Sequence, residues 1–126
     1  MNQLLAISAG GAIGAVLRFV LSNGIHQLLG RGFPYGTLTV NVLGSLCMGL
    51  GYVLLIEQLP HSTLWRSFLL VGVLGALTTF STFSIETLLL LEQGKIVRAA
   101  ISVAANLLLS LMAVWLGIQL GRMLYP

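Results

Sequence analysis

The sequence predicts an all-α membrane protein with four transmembrane helices, on three observations. Charged residues make up 7% of the chain and hydrophobic residues 57%, whereas soluble domains carry about 25% charged residues. Mean hydropathy is +1.01. Short breaks carrying Gly, Pro or charge divide the apolar sequence into four stretches. Each is long enough to cross a bilayer core, which takes about 20 apolar residues. A soluble fold of 126 residues could not cover its surface with so few charges. Residues 1–126 therefore read as a single transmembrane domain.

The helices are expected over residues 3–28, 37–58, 66–93 and 97–124. The breaks are Gly30-Arg31-Gly32-Phe33-Pro34-Tyr35-Gly36, then Leu59-Pro60-His61-Ser62-Thr63, then Gln93-Gly94-Lys95. The N-terminus lacks the basic region of a cleaved signal, so the first helix is expected to remain. The single cysteine, Cys47, lies in the second helix and reads as a small apolar residue. The +3 formal charge rests on few residues and forms no basic cluster. That argues against nucleic-acid binding.

Charge also bears on orientation. With the N-terminus, second loop and C-terminus on one side, that side carries Arg66 and Arg122. The other carries Arg31, Lys95 and Arg98, an excess of one. So small a positive-inside bias allows insertion both ways. Four helices alone hardly enclose a solvated path. The expected assembly is a dual-topology antiparallel homodimer, which supplies the inverted repeat that larger transporters encode in one chain.

The first helix places Gly10, Gly14 and Arg18 at four-residue spacing, a small close-packing face that ends in a guanidinium. Arg18 lies about two-thirds along the span, where a charge must snorkel, pair or face water. A structural role, at helix ends or a pore mouth, is expected for it. The second helix carries Asn41, Gly44, Ser45 and Met48 at i, i+3, i+4, i+7, with Thr37 one turn earlier. An asparagine here either bonds a neighbouring helix or meets a polar pathway.

The third stretch is too long for one straight span and carries Gly75-Ala76-Leu77-Thr78-Thr79-Phe80-Ser81-Thr82-Phe83. Lipid-facing sequence has no need of the hydroxyls of Thr78, Thr79, Ser81 and Thr82 within five positions. Irregular backbone and clustered polar groups at membrane depth line cavities or pores. A broken third helix is expected, with the break near residues 75–79, exposing carbonyls that suit a small hard cation and amides that suit an anion. Beyond it Phe80, Phe83 and Glu86 recur every three residues, and Glu86 is the only acid deep within a span. In the fourth helix Ser102, Asn106 and Ser110 form a stripe at four-residue spacing, which Ala113, Gly117 and Gly121 continue as small residues.

These residues exclude most chemistry. His26 and His61 lie at span ends, there is no Cys/His metal spacing, and no phosphate-binding glycine loop is present. An enzyme is not expected. What remains is a set of neutral donors: Asn41, Asn106, Ser45, Ser81, Ser102, Ser110, Thr79 and Thr82. Such groups replace part of an anion's hydration shell. The positive edges of phenylalanine rings add to them. A site of neutral donors binds weakly enough to release, as conduction requires, whereas a fixed buried cation would trap the anion. The inventory favours a small hydrogen-bonding anion without identifying it.

Over nearly its whole length the sequence resembles the fluoride channel family (Fluc, also called CrcB). Gly10-Gly11-Ala12-Ile13-Gly14-Ala15-Val16-Leu17-Arg18 is similar to that family's Gly-Gly-x-x-Gly-Ala-x-x-Arg. Gly36-Thr37-Leu38-Thr39-Val40-Asn41-Val42-Leu43-Gly44 is similar to its Gly-Thr-x-x-Val-Asn-x-x-Gly. Gly72 to Phe83, followed by Glu86, fits Gly-x-x-Gly-x-x-Thr-Thr-Phe-Ser-Thr-Phe. The Asn106 and Ser110 pattern fits as well. Departures are small: Phe19 stands where tyrosine often follows the arginine, and Ala76 where a second glycine is common.

The resemblance implies an antiparallel homodimer in the bacterial inner membrane that exports fluoride passively and lowers its toxicity. It implies two pores, each built from both subunits. It also implies a central structural sodium ion held by the backbone carbonyls of Gly75 and Thr78. The implied fluoride pathway comprises Asn41 as a donor, Phe80 and Phe83 as an aromatic pair, and Ser110 in a polar track. Thr79, Ser81, Thr82, Glu86 and Asn106 are the remaining candidate pore residues, and Arg18 is the vestibule candidate. A small multidrug-resistance-type exporter shares the size and topology but needs an acid in its first helix, which this chain lacks. A non-transporting assembly factor would not need the Thr-Thr-Phe-Ser-Thr-Phe run. A proton-coupled antiporter acting through Glu86 would require a proton gradient.

Overall fold

The computed structural model describes residues 2–126, and Met1 lies outside them. Four helices are long and apolar enough to cross a membrane: α1 (Asn2–Leu29), α2 (Tyr35–Gln58), α3 (Thr63–Glu92) and α4 (Ile96–Leu124). Their bounds fall within three residues of the predicted ones.

The breaks have local causes. Gly30, at φ +84°, ends α1 by donating to the His26 carbonyl at 2.8 Å. Pro34 precedes α2 and supplies no side-chain cap. The Gly36 N–H at the start of α2 instead donates to His26 Nε2 at 3.1 Å. A methyl group at Gly36 would come within 2.6 Å of the Ser22 carbonyl, so glycine lets this turn close on α1. After α3, Lys95 N donates to the Leu90 carbonyl and Gly94 N to the Leu91 carbonyl, with Gly94 at φ +77°. That is a Schellman ending, which needs a left-handed residue at the position Gly94 fills. Arg98 Nη1, in the first turn of α4, then donates to the Gly32 carbonyl at 3.0 Å and ties the start of α4 to the loop between α1 and α2.

Two interfaces dominate: α1 against the first half of α3, and α2 against α4. Both are backbone contacts made possible by glycine. A methyl group at Gly72 would sit 2.9 Å from the Gly10 Cα, and one at Gly49 2.9 Å from the Ile118 nitrogen. With no hydrophobic drive between helices in lipid, such close approach supplies the packing attraction that holds them. Residues 53–58 and 67–74 are wound more widely, with hydrogen bonds reaching back five residues. Val40, Leu74 and Leu77 form a small core, with Leu21, Cys47, Met48 and Leu70 against it. Large apolar side chains such as Phe19, Leu28, Trp65 and Met123 point outward, as a bilayer solvent permits.

Candidate functional site

The polar run of α3 has a distinct backbone. Helical geometry stops at Leu77, Thr78 (φ −83°, ψ 154°) and Thr79 (φ −151°, ψ 116°) are extended, and helix resumes over Phe80–Glu92. Asn41 of α2 holds this segment. Its Oδ1 accepts from Thr79 N at 2.8 Å, and its Nδ2 donates to the Thr79 carbonyl at 3.1 Å. The side-chain amide thus pairs with one extended residue much as a neighbouring strand would. The bond to an N–H fixes which end of the amide is oxygen. A methyl group at Gly44, one turn along α2, would overlap Thr78 Cγ2, so glycine lets α2 lie against this segment.

Helical carbonyls are freed as a result, those of Gly75 and Thr78 among them. In a continuous helix the Thr79 N–H would bond to the Gly75 carbonyl, and the Thr82 N–H to that of Thr78. The first goes to Asn41 instead. The second goes to Thr79 Oγ1 at 3.2 Å, where Thr79 caps the following helix. Gly75 is exposed on the chain's surface. Among the described residues, no three His, Cys, Asp or Glu side chains come together as a metal site.

The network continues into α4. Asn41 Nδ2 also donates to Asn106 Oδ1 at 3.0 Å, and Asn106 Nδ2 donates to the Ser102 carbonyl at 2.9 Å. Both N–H groups of Asn41 are engaged within the chain. Asn106 retains one. Beside it Ser110 Oγ is buried without a hydrogen-bond partner among the described residues.

Asn41, Thr78, Thr79, Phe80, Phe83, Asn106 and Ser110 line one groove of about 320 Å³, and no ionisable charged side chain is among its lining residues. The Phe80 and Phe83 rings lie 5.4 Å apart, tilted at 60°. Phe83 is buried, whereas Phe80 is 74% exposed and projects from the chain. Thr79 also lines a second groove of about 500 Å³, together with Thr82, Glu86, Arg18, Arg31 and His26. This groove is basic at its rim, and Glu86 within it accepts a hydrogen bond from the Thr37 hydroxyl. Arg18 makes no hydrogen bond or ion pair with the described residues, and it lines this groove. Ser81 lines neither groove; its Oγ lies 3.4 Å from Thr79 Oγ1. Gly75 also lines neither.

Sequence reasoning missed the roles of three residues. The sequence marks Thr37 by its place one turn before Asn41 and in the Gly-Thr motif, and the structure makes it the partner of Glu86. His26 and Arg31 face the second groove. Arg18, Ser22 and His26 stand four residues apart, a polar stripe visible in the sequence. The far end of the molecule carries a separate contact, Arg122 to Glu57 at 2.7 Å.

Residues 5–118 match the family described as CrcB-like protein, Camphor Resistance (CrcB). Three similar proteins are each named fluoride-specific ion channel FluC. The chain is 57% identical to one from Shewanella amazonensis over 121 residues, 95% of this chain and 96% of that protein. It is 48% identical to one from Hydrogenovibrio crunogenus, over 98% of this chain and 93% of that protein. It is 50% identical to one from Pseudoalteromonas translucida, over 90% of this chain and 95% of that protein. Those names describe ion channels and not enzymes. By the extent of the family match and the level of identity, this chain belongs to the CrcB family.

Proposed function

We propose that the protein is a channel through which fluoride leaves the bacterial cell across its inner membrane, passively, lowering cytoplasmic fluoride toxicity. The observation that carries this reading is the first groove. It offers neutral donors, ring surface and no charge at membrane depth. Fluoride is small and strongly hydrated, so a path must replace its water with donors. The free Asn106 N–H and the unpartnered Ser110 hydroxyl supply them, and the edges of Phe80 and Phe83 carry positive potential. Without a fixed cation the ion is released as readily as it is held. The names of the relatives support fluoride as the ion.

The groove is open in a single chain and Phe80 projects from it. The reading therefore includes a second copy, antiparallel and of dual topology, that covers the open face. By symmetry such a homodimer has two pores, each using residues of both chains. In this arrangement the interruption at Thr78 and Thr79 is the helix break, and Asn41 lines the pore chiefly by holding that break in place. Arg18, Arg31 and His26 form a vestibule that raises local anion concentration. Thr79, Ser81, Thr82 and Glu86 lie between vestibule and groove.

A structural sodium ion at the dimer axis belongs to the same reading. The carbonyls of Gly75 and Thr78 would hold it. They fit, because each has lost its helical donor and Gly75 is exposed where a partner would lie. When bound, sodium would supply positive charge that offsets the carbonyl dipoles of this segment.

The test is purified protein in liposomes loaded with fluoride or chloride, with efflux read by an ion electrode. Fluoride efflux that follows the electrical gradient and far exceeds chloride efflux is expected. No fluoride efflux overturns the reading, equal chloride efflux removes its selectivity, and dependence on a proton gradient replaces the channel with an antiporter.

A further inference from the structure

Outside both grooves, two hydroxyls meet in the interior. Thr87 Oγ1 and Ser102 Oγ are 3.1 Å apart. Ser102 is 0% exposed and Thr87 9%. Neither lines the first groove. We infer that this pair is a positioning element for the groove, setting the register of the Phe83 ring against the Asn106 amide. The inference rests on the fluoride-channel reading above.

The argument is one of helix geometry. Thr87 follows Phe83 by four residues, so it sits on the same face of Phe80–Glu92, about one 5.4 Å turn further on. Ser102 precedes Asn106 by four residues on α4. The two helices are joined by the tight turn at Gly94, so they run in opposite directions. One turn towards that turn from Phe83 is Thr87; one turn towards it from Asn106 is Ser102. The hydroxyl bond therefore links the helices one turn beneath the level at which Phe83 and Asn106 share the groove.

Ser102 acts twice. Its hydroxyl meets Thr87, and its carbonyl accepts from Asn106 Nδ2 at 2.9 Å. Asn106 Oδ1 is held from the other side by Asn41. The amide is thus pinned at both ends, and the direction of its one remaining N–H is set by Ser102. Sliding Phe80–Glu92 along α4 would move the Phe83 ring past that N–H. A bond between two short, buried side chains fixes one relative position of the helices, because it is directional and lengthens with any slide, whereas apolar packing is not directional. A purely adhesive interhelical bond would hold the helices together without affecting the rate at which an ion passes.

Thr87→Val keeps the shape at 87 and removes the bond. The Ser102 hydroxyl can then turn to the carbonyl four residues back, so no buried hydroxyl is stranded. The measurement is fluoride efflux at low protein density, where the rate per channel separates from the fraction of vesicles holding an active channel. Thr87→Val is expected to lower the rate per channel at least about fivefold with the active fraction unchanged, within the range of measured pair couplings. Thr87→Ser, which keeps the hydroxyl, should restore at least about half of the wild-type rate. Ser102→Ala should match Thr87→Val, and the double variant should fall no lower, since all three lose the same bond.

A Thr87→Val channel with the wild-type rate overturns the inference, as does a deficit confined to the active fraction. If Thr87→Val does not fold, Ser102→Ala carries the same test; if neither assembles, the pair is merely structural and the inference falls. A wild-type protein without fluoride efflux overturns the channel reading itself, which the wild-type arm reads separately.

Discussion

Replacing Asn41 with leucine removes the clamp on Thr79 while keeping a side chain of similar length. Three hydrogen bonds go at once: from Thr79 N at 2.8 Å, to the Thr79 carbonyl at 3.1 Å and to Asn106 Oδ1 at 3.0 Å. Interhelical bonds in membranes average about 0.6 kcal/mol, and buried bonds in proteins about 1 kcal/mol. The two to Thr79 are therefore worth about 1–2 kcal/mol of bias towards its extended conformation, and the third ties Asn41 to α4. At about 1.4 kcal/mol per decade, the ordered segment loses roughly 5- to 30-fold in relative population. The freed Thr79 N–H can return to the Gly75 carbonyl and extend the helix. Fluoride efflux per channel should fall by a similar factor, and the Thr79 amide should change its hydrogen-exchange protection. Asn41→Asp separates charge from clamp. Its carboxylate still accepts from Thr79 N but sets oxygen against oxygen at the other two contacts. It also places a carboxylate among the residues that line the first groove, where it repels an anion. Aspartate should therefore conduct less than leucine. An Asn41→Leu channel with wild-type efflux would refute the clamp; a fully active Asn41→Asp channel would place residue 41 outside the path.

Phe80→Ile should lower fluoride throughput while the proposed dimer stays intact on size exclusion, and unchanged flux would reduce the exposed ring to packing. Gly49→Ala puts a methyl group against the backbone of α4 and should destabilise the fold by about 1–3 kcal/mol, the usual penalty of overpacking. Gly24→Ala, with no atom within 4 Å of the new methyl group, should instead raise the melting temperature in detergent by removing a helix-interior glycine, worth up to about 1 kcal/mol. An equal loss from both variants would contradict the glycine seam between α2 and α4. Two arginines added to one end of the chain should fix its orientation, and cysteine-accessibility labelling that finds native copies already facing one way would remove dual topology.

The four spans were legible because bilayer thickness sets a length that composition reveals without reference to any other residue. Gly94 and Pro34 marked their ends for the same reason: a left-handed residue and a residue without an N–H act locally. The hydroxyl run of α3 was legible as polar, but the destination of each N–H was not. Thr79 gives its N–H to Asn41, 38 residues away, and only the docking of α2 beside α3 decides that. The same holds for Thr37 and Glu86, 49 residues apart. In the sequence His26 is a span-end histidine. Its acceptor role depends on the path of the intervening loop, which Gly36 allows by lacking a side chain. The Gly10 and Gly14 seam was visible as spacing, whereas its partners Phe68, Gly72 and Val73 emerge only from the packing.

One local arrangement gives the polar run its two chemical faces. The segment 63–77 ends in carbonyls, the negative pole of its dipole, while Phe80–Glu92 begins with amides, the positive pole. Both poles meet within Thr78 and Thr79. Had the helix continued, each pole would have been cancelled by the next turn, and the membrane interior would have held an ordinary rod. Asn41 prevents this by taking one N–H, and the Thr79 hydroxyl does so by taking another. Two neutral side chains thus create a cation-favouring end and an anion-favouring start a few ångströms apart, without placing a formal charge in the first groove. A lysine or arginine at this depth would also attract an anion, but its fixed charge would hold the ion and carry a desolvation cost at the bilayer centre. Backbone dipoles avoid both penalties. This explains why the pathway proposed here lies in a segment rich in threonine and serine and almost free of charge.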